Sequence, residues 1–346
     1  MLIAVITAVD ILTSPHVHLA PFLVAAPAVT ASFEGPRMTA VVGGLAVVAE
    51  SMVALIRTTF ADLNHTFEIV ALVVISAIVT LFAQLRVRRE GQMSRLRSVA
   101  EAAQRVVLRP LPGRSGPLRI ASMYLAADAE AKIGGDLYAA ARTGWGSRLI
   151  IGDVRGKGLE AVGDAAVVLG AFRAAAHLQA ELPVLVAHLE GSVVADLADP
   201  AAQRTDGELA GETFVTAAVL DVPDRESVLR VINCGHPPPL LLRNGGVVPL
   251  DVRQPAPPLG LAEFMDGDLV VETFSFVTGD VVLLYTDGVI ECRDTSGTFY
   301  PLADRVVRWC GEAPEVLLTL LCEDLLAHAG GALGDDAAIV AIERVL

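Results

Sequence analysis

The first 85 residues consist of apolar runs separated by isolated charged or polar positions. The runs cover residues 1–11, 17–33, 39–56 and 69–85. A helix that spans a bilayer needs about 20 predominantly apolar residues. The fourth run meets this requirement, the third does so despite Glu50, and the first two need flanking residues. The fourth run also lacks the polar face of a helix in a soluble core. The pattern predicts a membrane region over residues 1–86 with three or four transmembrane helices.

A cluster of arginines follows the last apolar run directly. It comprises Arg86, Arg88, Arg89, Arg95 and Arg97. Loops next to a span that are rich in Lys or Arg stay on the cytoplasmic side of the membrane. We therefore expect a multi-pass protein of the cell membrane, with everything after residue 86 in the cytoplasm. A cleaved signal peptide is the alternative for the start of the chain, but no cationic segment follows Met1.

Residues 92–108 carry apolar side chains at steps of three and four, which is the period of a helix with a narrow apolar stripe. Such a helix can pair with its copy, and this predicts a homodimer through residues 92–108. Packing on its own domain or on anionic lipid are the alternatives. Prolines and glycines between residues 110 and 117 end the helix. Residues 87–116 are therefore predicted to form an amphipathic connector helix and a linker.

From residue 117 onward, short segments rich in β-branched residues are separated by turns, which predicts strands. Three longer segments read as helices, at 159–176, 183–197 and 314–329. Many strands, with the helices gathered in a few long stretches, are typical of α+β domains with antiparallel sheets. We therefore predict one α+β domain over residues 117–346.

Composition excludes one class of function. The 346 residues carry a formal net charge of −14, and no lysine-rich block interrupts the acidic surplus. Proteins that bind nucleic acid gain affinity from a surplus of cations, so we predict no nucleic-acid partner. Hydrophobic residues make up 53% of the chain and aromatic ones only 5%. This aliphatic excess is concentrated before Arg86, as the predicted membrane region requires.

Acidic residues lie beside glycines at the ends of several predicted strands. They are Asp136, Asp153, Asp287 and the pair Asp335 and Asp336. Asp-Gly pairs are common in turns, which accounts for any one of them taken alone. Four such places in one domain favour a site where carboxylates converge. Oxygen ligands without His or thiolate suit Mg²⁺ or Mn²⁺ rather than zinc or copper.

Seven short motifs follow one another along the domain. They are IGGDLY at 133–138, IGDVRGKG at 151–158, FVT at 214–216, NCGHPPPL at 233–240, PLGL at 258–261, YTDGVIE at 285–291 and GDDAA at 334–338. With these motifs in this order, the domain resembles the bacterial SpoIIE branch of the PP2C-type (PPM) serine/threonine phosphatases. The resemblance covers the chain from about residue 117 to its end. It implies a sandwich of two antiparallel sheets flanked by helices, with two Mn²⁺ or Mg²⁺ ions at one edge.

The resemblance also implies roles for particular residues. Asp153 would bind both ions, and the carbonyl oxygen of Val154 would complete the first site. Asp136 would bind the first ion directly or through water, while Asp287 and Asp335 would hold the second. The implied reaction is hydrolysis of phosphoserine or phosphothreonine esters by a water that the two ions activate. Relatives of this type act on anti-sigma-factor antagonists, so such a protein is the expected substrate.

One position departs from the wider family. Where the eukaryotic relatives have a histidine that acts as an acid, this chain has Arg155. We therefore expect charge stabilisation by Arg155 or Lys157, or protonation of the leaving group by water. His236 lies in a Gly-His-Pro-Pro turn, where a structural role is favoured over catalysis. His16 and His18 lack a third metal ligand nearby and are expected in a loop between spans.

Two other functions compete with the phosphatase. A GGDEF-type nucleotide cyclase also uses a Gly-Gly-acidic turn, but Asp136 is followed by Leu137 and Tyr138 rather than by an acidic-aromatic pair. A cyclase would also leave the motifs around Asp287 and Asp335 without a purpose. The other alternative is a non-catalytic phosphatase-like domain that serves as a scaffold. All four expected ligand aspartates are present, which favours the enzyme.

Overall fold

The computed structural model describes residues 2–12, 20–56, 63–127, 134–179, 181–198, 213–261 and 267–345. His16 and His18 lie outside the described residues. The chain divides into two compact units, residues 1–96 and 97–346.

The first unit is helical. Its helices are α1 (Leu2–Leu12), a 3₁₀ helix (Ala20–Val24), α2 (Ala25–Phe33), α3 (Pro36–Ile56) and the larger part of α4, which begins at Leu63 and ends at Val107. Within the described residues, Pro36–Ile56 and Thr66–Arg89 are long and apolar enough to cross a membrane, and they match the third and fourth apolar runs. Spans over the first two runs stay predictions.

Helix α4 is 45 residues long. The predicted fourth span and the predicted connector helix therefore belong to one continuous helix. The side chains of residues 93–103 are not among those described, so the homodimer through residues 92–108 stays a prediction.

The second unit contains two antiparallel sheets. One has six strands in the order β1-β2-β11-β10-β7-β8, and the other has five in the order β3-β4-β5-β6-β9. The strands are β1 (Arg114–Ser115), β2 (Leu118–Leu125), β3 (Leu137–Arg142), β4 (Gly146–Val154), β5 (Val215–Pro223), β6 (Val228–Cys234), β7 (Leu240–Arg243), β8 (Gly246–Pro249), β9 (Glu272–Ser275), β10 (Val281–Tyr285) and β11 (Ala337–Arg344).

Helices cover the sheets. They are α5 (Leu159–Ala175), α6 (Leu182–Leu197), α7 (Asp287–Ile290), α8 (Leu302–Val306), a 3₁₀ helix (Val307–Trp309) and α9 (Pro314–His328). The three predicted helices of this domain correspond to α5, α6 and α9. The predicted α+β sandwich of two antiparallel sheets flanked by helices is confirmed.

Strand β10 shows how the sandwich acquires two cores. Successive side chains of a strand point to opposite faces. Val282 and Leu284 join a core formed by both sheets with α5 and α6, whereas Leu283 and Tyr285 join a second core with α8 and α9. Because both faces of this strand are buried, its sequence is apolar throughout.

The strand register brings the acidic loops to one edge of the sandwich. Tyr285, at the end of β10, pairs with Ile339 near the start of β11. In the other sheet, Leu137 at the start of β3 pairs with Gly152 near the end of β4. Antiparallel pairing therefore makes one strand's end the neighbour of the next strand's beginning, and the acidic residues lie at these positions.

Candidate metal centre

Three carboxylates that lie far apart in sequence meet at this edge. Asp136, Asp153 and Asp287 each offer an oxygen, and these oxygens all lie within 4.8 Å of one another. Asp136 immediately precedes β3 and is buried, Asp153 is the penultimate residue of β4, and Asp287 begins α7 directly after β10. We refer to these three residues as the aspartate triad.

The aspartate triad is electrostatically costly without a cation. Burial, and after it the charge of Asp153, raises the pKa of Asp136 well above its usual range. Burial and the charge of Asp287 raise the pKa of Asp153 to about 7. The pKa of Asp287 is raised by burial and by Glu291. Mutually repelling buried carboxylates of this kind resist ionisation, and a bound cation relieves that repulsion.

Thr286 holds the most buried member of the aspartate triad. Its Oγ1 donates to Oδ2 of Asp136 at 2.8 Å and accepts the backbone N–H of Ala338 at 2.9 Å. The backbone N–H of Thr286 donates to the carbonyl of Ala338 at 3.0 Å. Thr286 therefore ties the Asp136 carboxylate to β11. A threonine inside a motif carries no sequence signal for this role, and our sequence analysis assigned it none.

Asp336 accepts hydrogen bonds from the backbone at two positions ahead of Asp136. Its Oδ1 accepts the N–H of Ala127 at 2.6 Å, and its Oδ2 accepts the N–H of Gly134. The hydroxyl of Tyr124 is hydrogen-bonded to Asp336 and accepts a hydrogen bond from Nε2 of Gln104 at 2.5 Å. Burial, reinforced by the charges of Asp336 and Asp136, raises the pKa of Tyr124 and keeps it protonated. Asp336 thus positions the backbone rather than facing the aspartate triad.

Two glycines of the motifs permit close approach of backbone segments. A Cβ on Gly135 would lie 2.8 Å from the carbonyl oxygen of Val154, the atom that the resemblance assigns to the first ion. A Cβ on Gly288 would lie 1.9 Å from the carbonyl oxygen of Asp336. The expectation that glycines beside the aspartates serve close approach is met at these two positions.

The fourth expected ligand has a different partner. Asp335 lies outside the aspartate triad and forms an ion pair with Lys157, whose Nζ is 2.6 Å from Oδ2. The guanidinium of Arg155 lies over the ring of Phe214, 5.3 Å from its centroid. The structure therefore brings together three of the four predicted ligand aspartates and places the fourth with a cation of the chain.

Comparison with known proteins identifies the domain. The family described as Stage II sporulation protein E (SpoIIE) matches residues 143–345. The chain belongs to the SpoIIE family. This confirms the family resemblance drawn from the motifs, whereas GGD at 134–136 lies ahead of the matched segment and is not tested by it.

Solved structures show the same fold for this SpoIIE-family domain. The SiaA-PP2C domain of Pseudomonas aeruginosa is 18% identical with a TM-score of 0.57, over 73% of this chain and 98% of that one. The RsbU and RsbW domains of Rv1364c from Mycobacterium tuberculosis are 24% identical with a TM-score of 0.54, over 69% of this chain. The phosphatase domain and regulatory fragment of SpoIIE from Bacillus subtilis are 16% identical with a TM-score of 0.50, over 65% of this chain.

The matches cover 62% of the Rv1364c chain and 63% of the Bacillus subtilis chain. At these identities the likeness concerns the fold, and the fold is that of a PP2C-like phosphatase domain.

His236 of the SpoIIE-family domain has a structural role in its turn. The side chain is buried, with Nδ1 3.2 Å from Oγ1 of Thr216 and Nε2 3.1 Å from the carbonyl oxygen of Tyr285. Burial lowers the pKa of His236 to about 4, so the ring is neutral at ordinary pH. The side chain of Asn233 closes the turn through bonds to the backbone of His236. The favoured structural role agrees with this geometry.

The donor set fits a hard divalent cation. The residues of the aspartate triad offer carboxylate oxygens, and the Val154 carbonyl lies beside Gly135 next to them. The triad includes neither an imidazole nor a thiolate. Such an oxygen-only set suits Mg²⁺ or Mn²⁺, and burial, together with the neighbouring carboxylates, raises the pKa of each member of the aspartate triad.

Proposed function

We propose that this SpoIIE-family protein is a membrane-anchored, metal-dependent protein serine/threonine phosphatase. The observation that carries the proposal is the aspartate triad, which converges at one edge of a PP2C-like sandwich and lacks sufficient compensating charge. Asp153 would hold both ions, and Asp136 with the Val154 carbonyl would complete the first site. Asp287 and Asp335 would hold the second.

The reaction is hydrolysis of a phosphoserine or phosphothreonine ester to the free hydroxyl and inorganic phosphate. Two divalent cations, when bound, would supply an activated water and neutralise charge on the phosphoryl oxygens. The protein contributes placement. Thr286 keeps the carboxylate of Asp136 directed into the site, and the strand ends keep Asp153 and Asp287 within reach of each other.

Arg155 and Lys157 supply positive charge beside the aspartates. Both follow Asp153 within four residues, and the ammonium of Lys157 opposes the raised pKa values that burial produces at Asp153 and Asp287. We assign them stabilisation of negative charge on the phosphoryl group or on the leaving oxygen. A guanidinium stays charged at any ordinary pH, so Arg155 does not replace the acid histidine of the eukaryotic relatives as a proton donor.

The sequence and the relatives support the proposed location and substrate. The helices Pro36–Ile56 and Thr66–Arg89 have the length and composition of transmembrane spans. The arginines from residue 86 onward favour a cytoplasmic phosphatase domain. One similar structure contains RsbU and RsbW domains in a single chain. This supports a protein as the partner of the phosphatase domain, and we propose a phosphorylated anti-sigma-factor antagonist as the substrate.

Metal removal tests the proposed function. The full chain, purified in detergent, should hydrolyse p-nitrophenyl phosphate and a phosphoserine peptide when Mn²⁺ is present. EDTA should abolish both activities and added Mn²⁺ should restore them, because the aspartates cannot activate water by themselves.

In the same assay Arg155→Ala should lower kcat by roughly tenfold or more. Absence of Mn²⁺-dependent hydrolysis would favour a scaffold, and an unchanged kcat in Arg155→Ala would remove that residue from the mechanism.

A further inference from the structure

Lys157 places an ammonium group on one of the carboxylates assigned to the second cation. Its Nζ lies 2.6 Å from Oδ2 of Asp335, while Oδ1 of the same carboxylate accepts the N–H of Asp336 at 2.9 Å. The two side chains are 40% and 43% exposed. Asp335 therefore already has a cationic partner, which the chain itself supplies.

The backbone directs Lys157 to this place. Gly156 and Gly158 on either side of it have φ values of 115° and 97°, a region that favours glycine. Lys157 also forms an antiparallel bridge with Gly134, two residues before Asp136. The ammonium therefore reaches Asp335 from the same loop that follows Asp153, at a position held by the backbone of the site.

Lys157 and Asp335 both act on the aspartate triad. Burial is the main cause of the raised pKa of Asp153 and of Asp287, Asp335 adds to both shifts, and Lys157 opposes both. The ammonium of Lys157 thus interacts electrostatically with the carboxylates that would bind a second ion. A divalent cation held by Asp287 and Asp335 would be close to this ammonium, and like charges at short range repel.

We propose that Lys157 is a tethered competitor of the second cation. Its ammonium occupies Asp335 until a divalent ion displaces it, and this competition weakens the second site relative to the first. The inference rests on the proposed function, since it takes Asp335 as a ligand of the second ion. The first site, formed by Asp136, Asp153 and the Val154 carbonyl, does not require Lys157 to move. The second site would therefore fill only at a higher divalent-ion concentration than the first.

Binding of Mn²⁺, measured by titration calorimetry and by the electron paramagnetic resonance of free Mn²⁺, tests the competition without any assay of activity. The full chain in detergent should bind two ions with unequal affinity. In Lys157→Met the Kd of the weaker site should fall by about tenfold, because one opposing charge is gone. The Kd of the tighter site should change far less, and Lys157→Arg, which keeps the charge, should retain the weak second site.

A matched control removes a different exposed ion pair. Arg119 and Glu315 lie 3.0 Å apart with side chains 42% and 52% exposed, so Arg119→Met deletes one positive charge from a pair of similar exposure. Its two Mn²⁺ affinities should equal those of the wild type. A general effect of net charge would shift Arg119→Met and Lys157→Met alike, and that result would overturn the inference.

The outcomes separate the two proposals. A wild-type chain that binds no Mn²⁺ would overturn the proposed function itself. A wild type that binds two ions, together with a Lys157→Met variant whose second Kd is unchanged or higher, would overturn only the competition. Circular dichroism should be used to check that each variant is folded. If Lys157→Met does not fold, Lys157→Gln provides the same comparison.

Discussion

Asp153→Asn is expected to lower kcat by roughly 10³-fold or more, about 4 kcal/mol of activation free energy, while leaving the fold intact. Asn has nearly the same shape as Asp, and the backbone of Asp153 stays paired with Thr216 in the sheet. The change removes the carboxylate that we assign to both ions, so neither cation site remains complete. The measurement is kcat for a phosphoserine peptide at saturating Mn²⁺.

The same variant, although less active, should be more stable than the wild type when no metal is bound. The pKa of Asp153 is raised by burial and by Asp287 from 3.8 to about 7. A carboxyl group whose pKa is higher in the folded state than in the unfolded state destabilises the fold as the pH rises between these two pKa values. For Asp153 the full loss of folding stability is present above about pH 7. In EDTA above that pH, Asp153→Asn should therefore have a higher Tm than the wild type. Added Mn²⁺ should raise the Tm of the wild type and not that of the variant.

An aspartate outside the aspartate triad provides the control. Asp268 is exposed, and Asp268→Asn should leave kcat, the Tm in EDTA and the response to Mn²⁺ unchanged. If Asp153→Asn instead retained wild-type kcat, the assignment of Asp153 to the ions would be wrong. A lower Tm of Asp153→Asn in EDTA would contradict the repulsion between the carboxylates.

Gly288→Ala is expected to destabilise the phosphatase domain by about 3 kcal/mol. A Cβ at this position would lie 1.9 Å from the carbonyl oxygen of Asp336, a backbone atom that cannot rotate away. Two hydrogen bonds between Thr286 and Ala338, one between backbone groups and one from the Ala338 N–H to the Thr286 hydroxyl, hold the two segments together near the clash. The segments must separate, and Asp287 and Asp335 move with them. We therefore expect weaker Mn²⁺ binding together with a lower unfolding midpoint in urea.

Gly170→Ala is the matched control for this substitution. Gly170 lies within α5, and no atom lies within 4 Å of the position that its Cβ would take. Ala favours a helix over Gly by up to about 1 kcal/mol, so this variant should be slightly more stable than the wild type. Equal effects of the two substitutions on the urea midpoint would show that the close approach at Gly288 is not the cause.

Patterning made much of the phosphatase domain predictable. Strand β10 is apolar throughout because its two faces enter two cores, and the helices α5, α6 and α9 match the three longer segments that were predicted as helices. Strand β3 was not predicted. Its sequence, Leu-Tyr-Ala-Ala-Ala-Arg, has little preference for a strand, and pairing with β4 imposes the extended conformation. Local preference cannot reveal a strand that depends on its partner.

The chemistry of the site was predictable as residue types and not as contacts. Glycines beside Asp136, Asp153 and Asp287 indicated a set of oxygen ligands for a hard cation. Thr286 and Asp336 belong to the same motifs, yet their hydrogen bonds to Asp136 and to Gly134 arise from segments more than a hundred residues away. No local pattern distinguishes a residue whose side chain contacts a distant segment from a sequence neighbour whose side chain does not.

The sequence by itself determined the long apolar helices, the α+β class, the family and the set of aspartates, because these depend on composition, period and motif order. Only the tertiary structure decided that Asp136, Asp153 and Asp287 meet, while Asp335 pairs with Lys157. It also decided that the last apolar run and the connector form one helix of 45 residues. The physical reason is that contacts between distant segments follow from strand register and side-chain packing, which the whole folded chain sets together.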